Sequence, residues 1–307
     1  MREDRPPLPT TTAFLEDYRR ELGAAGLDPL RLWQSLVHFK RLPTLGLAGA
    51  ASAVYSSRIE GSAVDLNTFM RSKERGRPAQ KGSDREWVED LERAYEFARG
   101  RVPSRENVMR AHAILTEHSP DLAESQKGAF RTGRMAVVAG GIIEYMAVEG
   151  ERVEEEMDRF FDALHALRRR DLGVEASFYH AALLHLVLAK IHPFEDGNGR
   201  AARLLEKWFL AEQRGTKAWK VPTEELYWKN QERYYDAIDL GPNFYLLDLR
   251  GVPAFLALLP EALRLGREQA RKLRRQQARR DKASSSPRAN PVPRSFAAAR
   301  RQYVVAR

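Results

Sequence analysis

Apolar residues recur at three- and four-residue spacing through most of the chain, and that period predicts helix after helix. One run carries Trp87, Leu91, Tyr95 and Ala98; another carries Phe178, Ala182, Leu183, Leu186 and Val187. Pro103-Ser104 before RENVMRAHAILTEH reads as a helix start, with Ser104 as N-cap and Glu106 in the first turn, where the backbone dipole favours an acid. Residues 174–191, VEASFYHAALLHLVLAKI, are apolar almost all round, so this helix belongs at the centre of the molecule. His192-Pro193 ends it, because a residue before proline is steered out of the helical region. One stretch breaks the period. RMAVVAGGIIEYMAV, residues 134–148, clusters valines, isoleucines and a tyrosine around Ala139-Gly140-Gly141, a hairpin signature in which glycine takes the positive φ of the turn. The expected fold class is all-α with one small β-hairpin. A lone hairpin in a helical domain is expected to serve a site, the plainer alternative being a surface connection.

Composition agrees with a packed fold. Of 307 residues, 43% are hydrophobic, enough for one or two domains with a core. Cysteine is absent, which excludes disulfides, thiolate metal sites and cysteine nucleophiles. The opening MREDRPPLPT has acids and prolines where a secretory signal carries an apolar core. The longest near-apolar stretch, LGLAGAASAVY, falls short of the roughly 20 residues that span a bilayer. No membrane span and a cytoplasmic location are expected.

Charge is unevenly placed. From Arg264 to Arg307 there are fourteen Lys or Arg against two acids, a balance of +12; with +9 for the whole chain, residues 1–263 stand at −3. The basic segment begins as a helix and passes into SSSPRANPVPRS, which has no packing pattern. A solvated helix with a disordered tail is expected. An arm that binds nucleic acid or another anionic surface is the alternative, and it is not favoured.

The combination that packing does not ask for is IHPFEDGNGRAARLLEKWFL, residues 191–210. A glycine-rich turn opens a helix at Gly197-Asn198-Gly199, where the first backbone N–H groups lack intrahelical partners and attract anions. Arg200 and Arg203, on the same side of the first turn, can add charge-assisted contacts. Asp196 offers a hard oxygen for Mg²⁺, which binds through one or two carboxylates together with substrate phosphates. His192 lies at the edge of the same pocket, able to take a proton from a hydroxyl. Taken singly, each feature has a bland reading as a turn or a helix cap.

Position for position, His192 to Arg203 fits H-x-F-x-[DE]-G-N-G-R-x-x-R, and this resembles the Fic family. Eight specified positions over twelve residues make the pattern specific. The resemblance implies the Fic helical bundle with its hairpin as a flap, and transfer of AMP from ATP to a Ser, Thr or Tyr hydroxyl of a target protein. His192 would be the general base, and Asp196 would hold Mg²⁺. The backbone of Gly197, Asn198 and Gly199, with Arg200 and the Asn198 side chain, would cradle phosphates, while Arg203 would bind the γ-phosphate. Phe194 would anchor the loop in the core. Val137, Val138, Ala139 and Gly140 correspond to the flap that aligns the target segment, and Gly128-Ala129-Phe130-Arg131 resembles the family's lead-in to it. Tyr234 and Tyr235 are similar to a tyrosine pair that closes over adenine. The asparagine often found some seven residues later is displaced: Pro242 stands there, with Asn243 adjacent.

Upstream, Ser56-x-x-x-Glu60-Gly61 fits the family's inhibitory motif, in which the glutamate pairs with the second arginine of the core motif, here Arg203. Read without the resemblance, Ser57-x-x-Glu60 is a capping-box spacing and Glu-Gly an ordinary helix end. The expected organisation is an N-terminal helical region with the inhibitory motif (1–85), a Fic core (86–250) and a basic C-terminal helix and tail (251–307). The expected activity is an autoinhibited protein adenylyltransferase, itself a potential target. Removal of AMP with Glu60 as participant, or transfer of another nucleotide group, are the alternatives on the same fold; a kinase-like relative carries lysine where this chain has Gly199. A homodimer stays open.

Overall fold

The computed structural model describes residues 7–39, 42–139 and 141–285, with backbone alone for Ala139, Ile142 and 279–285. Gly140 of the expected flap and residues 286–307 of the expected tail lie outside the described residues. In chain order come α1 (Leu15–Ala24), α2 (Pro29–Val37), α3 (Leu45–Ile59), α4 (Leu66–Glu74), α5 (Asp84–Ala98) and α6 (Arg105–Leu115). The hairpin follows, β1 (Ala136–Ala139) and β2 (Ile142–Met146), then α7 (Gly150–Arg168), α8 (Val174–Ile191) and α9 (Asn198–Arg214). The chain continues through α10 (Thr223–Lys229), α11 (Gln231–Ile238) and α12 (Val252–Ser285). The fold is all-α apart from that hairpin.

Local chemistry sets the helix starts. Asp28, Thr44, Asp65, Ser83 and Ser104 each accept the N–H three residues ahead, and such a cap stabilises a helix by about 1 kcal/mol. Packing sets the rest. α8 is buried at fourteen of its eighteen residues and packs against α2, α7, α9 and α12. By length and composition it is the one described helix apolar enough to cross a membrane, but here protein covers it. Its end is fixed within one residue of the expected break at His192-Pro193.

One buried core runs from Tyr18 to Leu263. The three regions marked out in the sequence therefore share a single core. α3 contributes Ala50, Ala53, Val54 and Ile59 to it, and α12 contributes Phe255, Leu256, Leu259 and Leu263 before its basic half begins. In the hairpin Val137 faces Tyr145 and Val138 faces Ile143, so Glu144 is the extra residue of a bulge. Bulges re-aim side chains, and Glu144 is turned toward the cavity described below. Gly141 takes the positive φ of the turn, at 82°. Residues 242–244 flank β2 on its far side, through Met146 N–H to Pro242 O and Phe244 N–H to Met146 O, which leaves β1 as the open edge among the described residues.

Candidate active site

The loop between α8 and α9 is held from several sides. His192 is the only non-glycine among the described residues with positive φ, at 52°, a strained conformation that persists where its surroundings over-determine it. Arg131, 2% exposed, supplies much of that constraint. Its Nε donates to His192 O (2.7 Å), its Nη1 to Gly133 O (2.7 Å) and its Nη2 to Val148 O (2.7 Å). One guanidinium thus fixes both the histidine backbone and the base of the flap. On the other side Phe194, fully buried, stacks on His112 with ring centroids 3.7 Å apart. His112 Nδ1 accepts from Gly128 N–H (3.0 Å), which leaves its Nε2–H to donate to Asp196 O (2.8 Å). Burial holds this imidazole down at about 4, so it is neutral at pH 7.

Asn198 closes the loop on itself. Its amide accepts from Phe194 N–H (2.9 Å) and donates to Phe194 O (2.8 Å). Gly197 takes a φ of 78°, and a Cβ there would meet Leu115, Thr116 and His112 at 3.0–3.3 Å. The first intrahelical bond of α9 runs from Ala201 N–H to Gly197 O, so the N–H groups of Asn198, Gly199 and Arg200 sit at the unpaired start of the helix. Beside them Arg200 Nε and Ser57 Oγ are buried without partners among the described residues, two donors that an anion could satisfy. Asp196 Oδ1 accepts from Gly197 N–H (2.6 Å), and Oδ2 pairs with Arg200 (2.7 Å). Burial pushes the Asp196 carboxyl up, but Arg200 and the Gly197 N–H outweigh it and hold it below its ordinary range.

A cavity of about 250 Å³ lies over this loop. His192, Gly199, Arg203 and Glu60 line it, and Tyr235, Ile238, Val137 and Tyr145 add apolar surface. His192 Nδ1 faces Ala189 O at 3.2 Å; with the proton there, Nε2 is left to accept one. Burial lowers the His192 pKa; the Ala189 carbonyl opposes this and the Arg131 guanidinium adds to it, so the free ring is neutral at pH 7.

Arg203, 1% exposed, is held by α3. Its Nε donates to Ser56 Oγ (2.9 Å), and its Nη2 donates to Ser56 O (3.2 Å) and ion-pairs with Glu60. Burial pulls this guanidinium down, yet Glu60 more than offsets it and holds it above its ordinary value. Glu60 is the C-cap of α3, and Gly61 at φ 95° turns the chain away. Ser56 and Glu60 of the expected inhibitory motif thus meet Arg203 across 147 and 143 residues. A Cβ on Gly199 would lie 2.5 Å from Glu60 Oε1 and 3.1 Å from Arg203 Nη1, so the glycine leaves the room in which the pair meets.

Residues 103–210 match the model of the Fic/DOC family. The chain carries a Fic-family domain. Fic domains belong to enzymes that typically transfer nucleotide groups to proteins. The structure is similar to a Fic family protein from Desulfovibrio desulfuricans G20, at 21% identity and a TM-score of 0.64 over 87% of this chain and 77% of that one. It is also similar to Fic-1 (aa134 - 508) from C. elegans, at 19% identity and a TM-score of 0.62 over 84% and 76%. A Fic domain containing signaling protein from Bacteroides thetaiotaomicron VPI-5482 aligns at 19% identity and a TM-score of 0.59 over 80% and 98%. No curated protein matches the chain.

Several residues of this site differ from their expected parts. The Asn198 side chain is spent on Phe194, so only its backbone N–H remains for a phosphate. Arg200 and Arg203 do not form one fork: Arg200 turns to Asp196 on one side of α9, and Arg203 turns to Ser56 and Glu60 on the other. Tyr234 is 2% exposed, and its hydroxyl meets Arg203 and His185, so its ring is not free to cover a base. Tyr235 is 44% exposed and does line the cavity; its hydroxyl donates to Ile59 O (3.1 Å), as Gln231 Nε2 does (2.9 Å). Val137 faces the cavity, whereas Val138 stands 56% exposed on the hairpin. Sequence reasoning missed His112, the anchoring role of Arg131, and Lys190. Lys190 lies in the cavity wall with Nζ 4.3 Å over the Tyr145 ring, and burial, opposed by Asp239, brings it down to about 8.

Proposed function

We propose that this protein transfers AMP from ATP to a Ser, Thr or Tyr hydroxyl of a target protein, and that Glu60 holds the enzyme off. The observation that carries this reading is Arg203: a buried guanidinium in the wall of the His192 cavity, whose anion partner is a carboxylate from the same chain. A guanidinium fork takes a carboxylate or a phosphate in the same geometry but not both at once. With Glu60 withdrawn, Arg203 grips the terminal phosphate and the start of α9 takes the inner phosphates. The apolar surface of Tyr235, Ile238 and Val137 takes the base.

In the transfer, the target hydroxyl oxygen bonds to the α-phosphorus, the bond from that phosphorus to the β-bridging oxygen breaks, and pyrophosphate leaves. His192 Nε2 receives the hydroxyl proton. The open edge of β1 offers backbone groups to an extended target segment, as in strand addition. Among the described residues no three His, Asp or Glu side chains form a preformed metal cage. Asp196 nonetheless fits Mg²⁺: one ionised carboxylate is what that ion takes when phosphates supply the remaining ligands. When bound, the ion would neutralise phosphate charge.

The test is to incubate wild type, Glu60→Gly and His192→Ala proteins with a cell lysate and ATP labelled at the α- or γ-phosphate. Protein-bound α-label that rises in Glu60→Gly and vanishes in His192→Ala supports AMP transfer. Label from the γ position alone means phosphorylation and overturns it, and release of AMP from pre-labelled protein assigns the reverse reaction.

A further inference from the structure

Behind Arg203 lies a chain of buried polar groups that the transfer step does not use. Arg203 Nη1 lies 3.3 Å from the Tyr234 hydroxyl, and that hydroxyl lies 3.0 Å from His185 Nε2. His185 Nδ1 lies 2.8 Å from Glu206 Oε2, which also accepts from the Tyr227 hydroxyl at 2.9 Å. His185 and Glu206 are wholly buried, Tyr227 is 1% exposed, and the other Glu206 oxygen has no partner among the described residues. The groups come from α8, α9, α10 and α11, so no single helix explains why they meet.

Donor and acceptor roles follow from the partners. A guanidinium only donates, so the Tyr234 oxygen accepts from Arg203. A carboxylate only accepts, so the His185 proton sits on Nδ1 and points at Glu206. In the neutral ring Nε2 is then an acceptor, and the Tyr234 O–H donates to it. Every link has one direction: Arg203 to Tyr234, Tyr234 to His185, His185 to Glu206. Burial pushes the Tyr234 phenol up, with Arg203 opposing, so the phenol keeps the proton it donates.

Such a chain is costly to bury. An apolar core would be at least as stable as a half-satisfied polar network, and the surrounding core already supplies Phe255 against both rings. What the chain adds is direction at its Arg203 end. We propose that Tyr234, His185 and Glu206 are positioning residues that hold the Arg203 guanidinium fixed when Glu60 withdraws, so that its free edge stays turned toward the cavity. Ser56 on α3 holds Nε and Nη2, and the relay holds Nη1 from the opposite side. This rests on the nucleotide reading above only for the identity of the anion that Arg203 then receives.

The test separates the two claims. In protein labelled with ¹⁵N-arginine and lacking nucleotide, rotation of the Arg203 guanidinium is followed by NMR in Glu60→Gly and in Glu60→Gly/Tyr234→Phe. Slow rotation in the first and fast rotation in the second is expected. Fast rotation already in the first, or no change in the second, overturns the relay. Affinities for MgATP and MgADP are measured in the same proteins. Loss of the Tyr234 hydroxyl weakens MgATP by about tenfold, the size of one hydrogen bond to a charged group, and leaves MgADP unchanged. Equal loss for both nucleotides marks a merely structural role and overturns the proposal. His185→Gln, which keeps an acceptor toward Tyr234, retains the difference between ATP and ADP, and His185→Leu abolishes it. Slow, Tyr234-dependent rotation in a protein that binds neither MgATP nor MgADP keeps the relay and removes the proposed function.

Discussion

Glu60→Gly separates a clamp from an ordinary surface ion pair, because the two roles move two measurements differently. Arg203 is buried while the Glu60 side chain is 41% exposed. At an effective dielectric of about 20 the gross attraction of two charges 4 Å apart is about 4 kcal/mol, and water around Glu60 discounts it. A hydrogen bond to a charged group contributes roughly 1.5–3 kcal/mol net, so about 2 kcal/mol is the term a phosphate must displace. Removing it should tighten MgATP by about 30-fold, at 1.4 kcal/mol per factor of ten. The same change strips Arg203 of its anion, though Ser56 and Tyr234 remain, and Tm should fall by a few degrees. Calorimetric titration with a non-hydrolysable ATP analogue and Mg²⁺ reads the first quantity, and thermal unfolding the second. Tighter binding together with a lower Tm is expected; a lower Tm with unchanged or weaker binding refutes the clamp and leaves only a structural ion pair.

His192→Ala should fold with near-native Tm yet lose label transfer by at least about 100-fold, the usual worth of a positioned base; retained transfer would assign the proton to another group. Asn198→Ala removes both bonds to Phe194 and should cost about 2–3 kcal/mol in urea unfolding, with no cost meaning that the loop is braced elsewhere. His112 binds its proton near 6.5 when unfolded and near 4 when folded. Its contribution to stability is therefore full above pH 6.5 and shrinks as pH falls toward 4, by about 1 kcal/mol at pH 5.5. Comparing urea unfolding of wild type and His112→Gln at pH 7.5 and 5.5 checks this, and identical pH dependence in the two would contradict it. Asp196→Ala should abolish the Mg²⁺ dependence of nucleotide binding, and an unaltered dependence would place the ion elsewhere.

Much of this architecture is legible because it is local. The three-to-four period marks α5 and α8, the glycine pair marks the hairpin, and Ser104 caps α6 as its chemistry requires. The loop residues His192 to Arg203 are contiguous, so their spacing alone brings them together. What stays hidden depends on tertiary direction. A helical period tells which face of α11 is apolar but not what that face meets, so two adjacent tyrosines look alike although Tyr234 turns inward to Arg203 and Tyr235 turns to the cavity. Arg131 sits in an irregular segment with no period, and nothing local announces that its three nitrogens hold four carbonyls. His112 looks like any lone histidine on a helix until Phe194, eighty-two positions on, stacks against it. The pairing of Glu60 with Arg203 came only from the family resemblance, since no local rule joins residues so far apart.

That pairing is built from two helices locked into one core, not from a detachable segment. Ser52, one turn before Ser56, receives a second tie from α9 through Lys207 at 2.7 Å, so α3 cannot lift away without opening the interior. The carboxylate is therefore present at the arginine at an effective concentration fixed by the fold, independent of how much protein a cell makes. Dilution cannot free the site, and a competing anion gains access only through a rearrangement small enough to leave α3 in place, such as rotation of the Glu60 side chain at its C-cap.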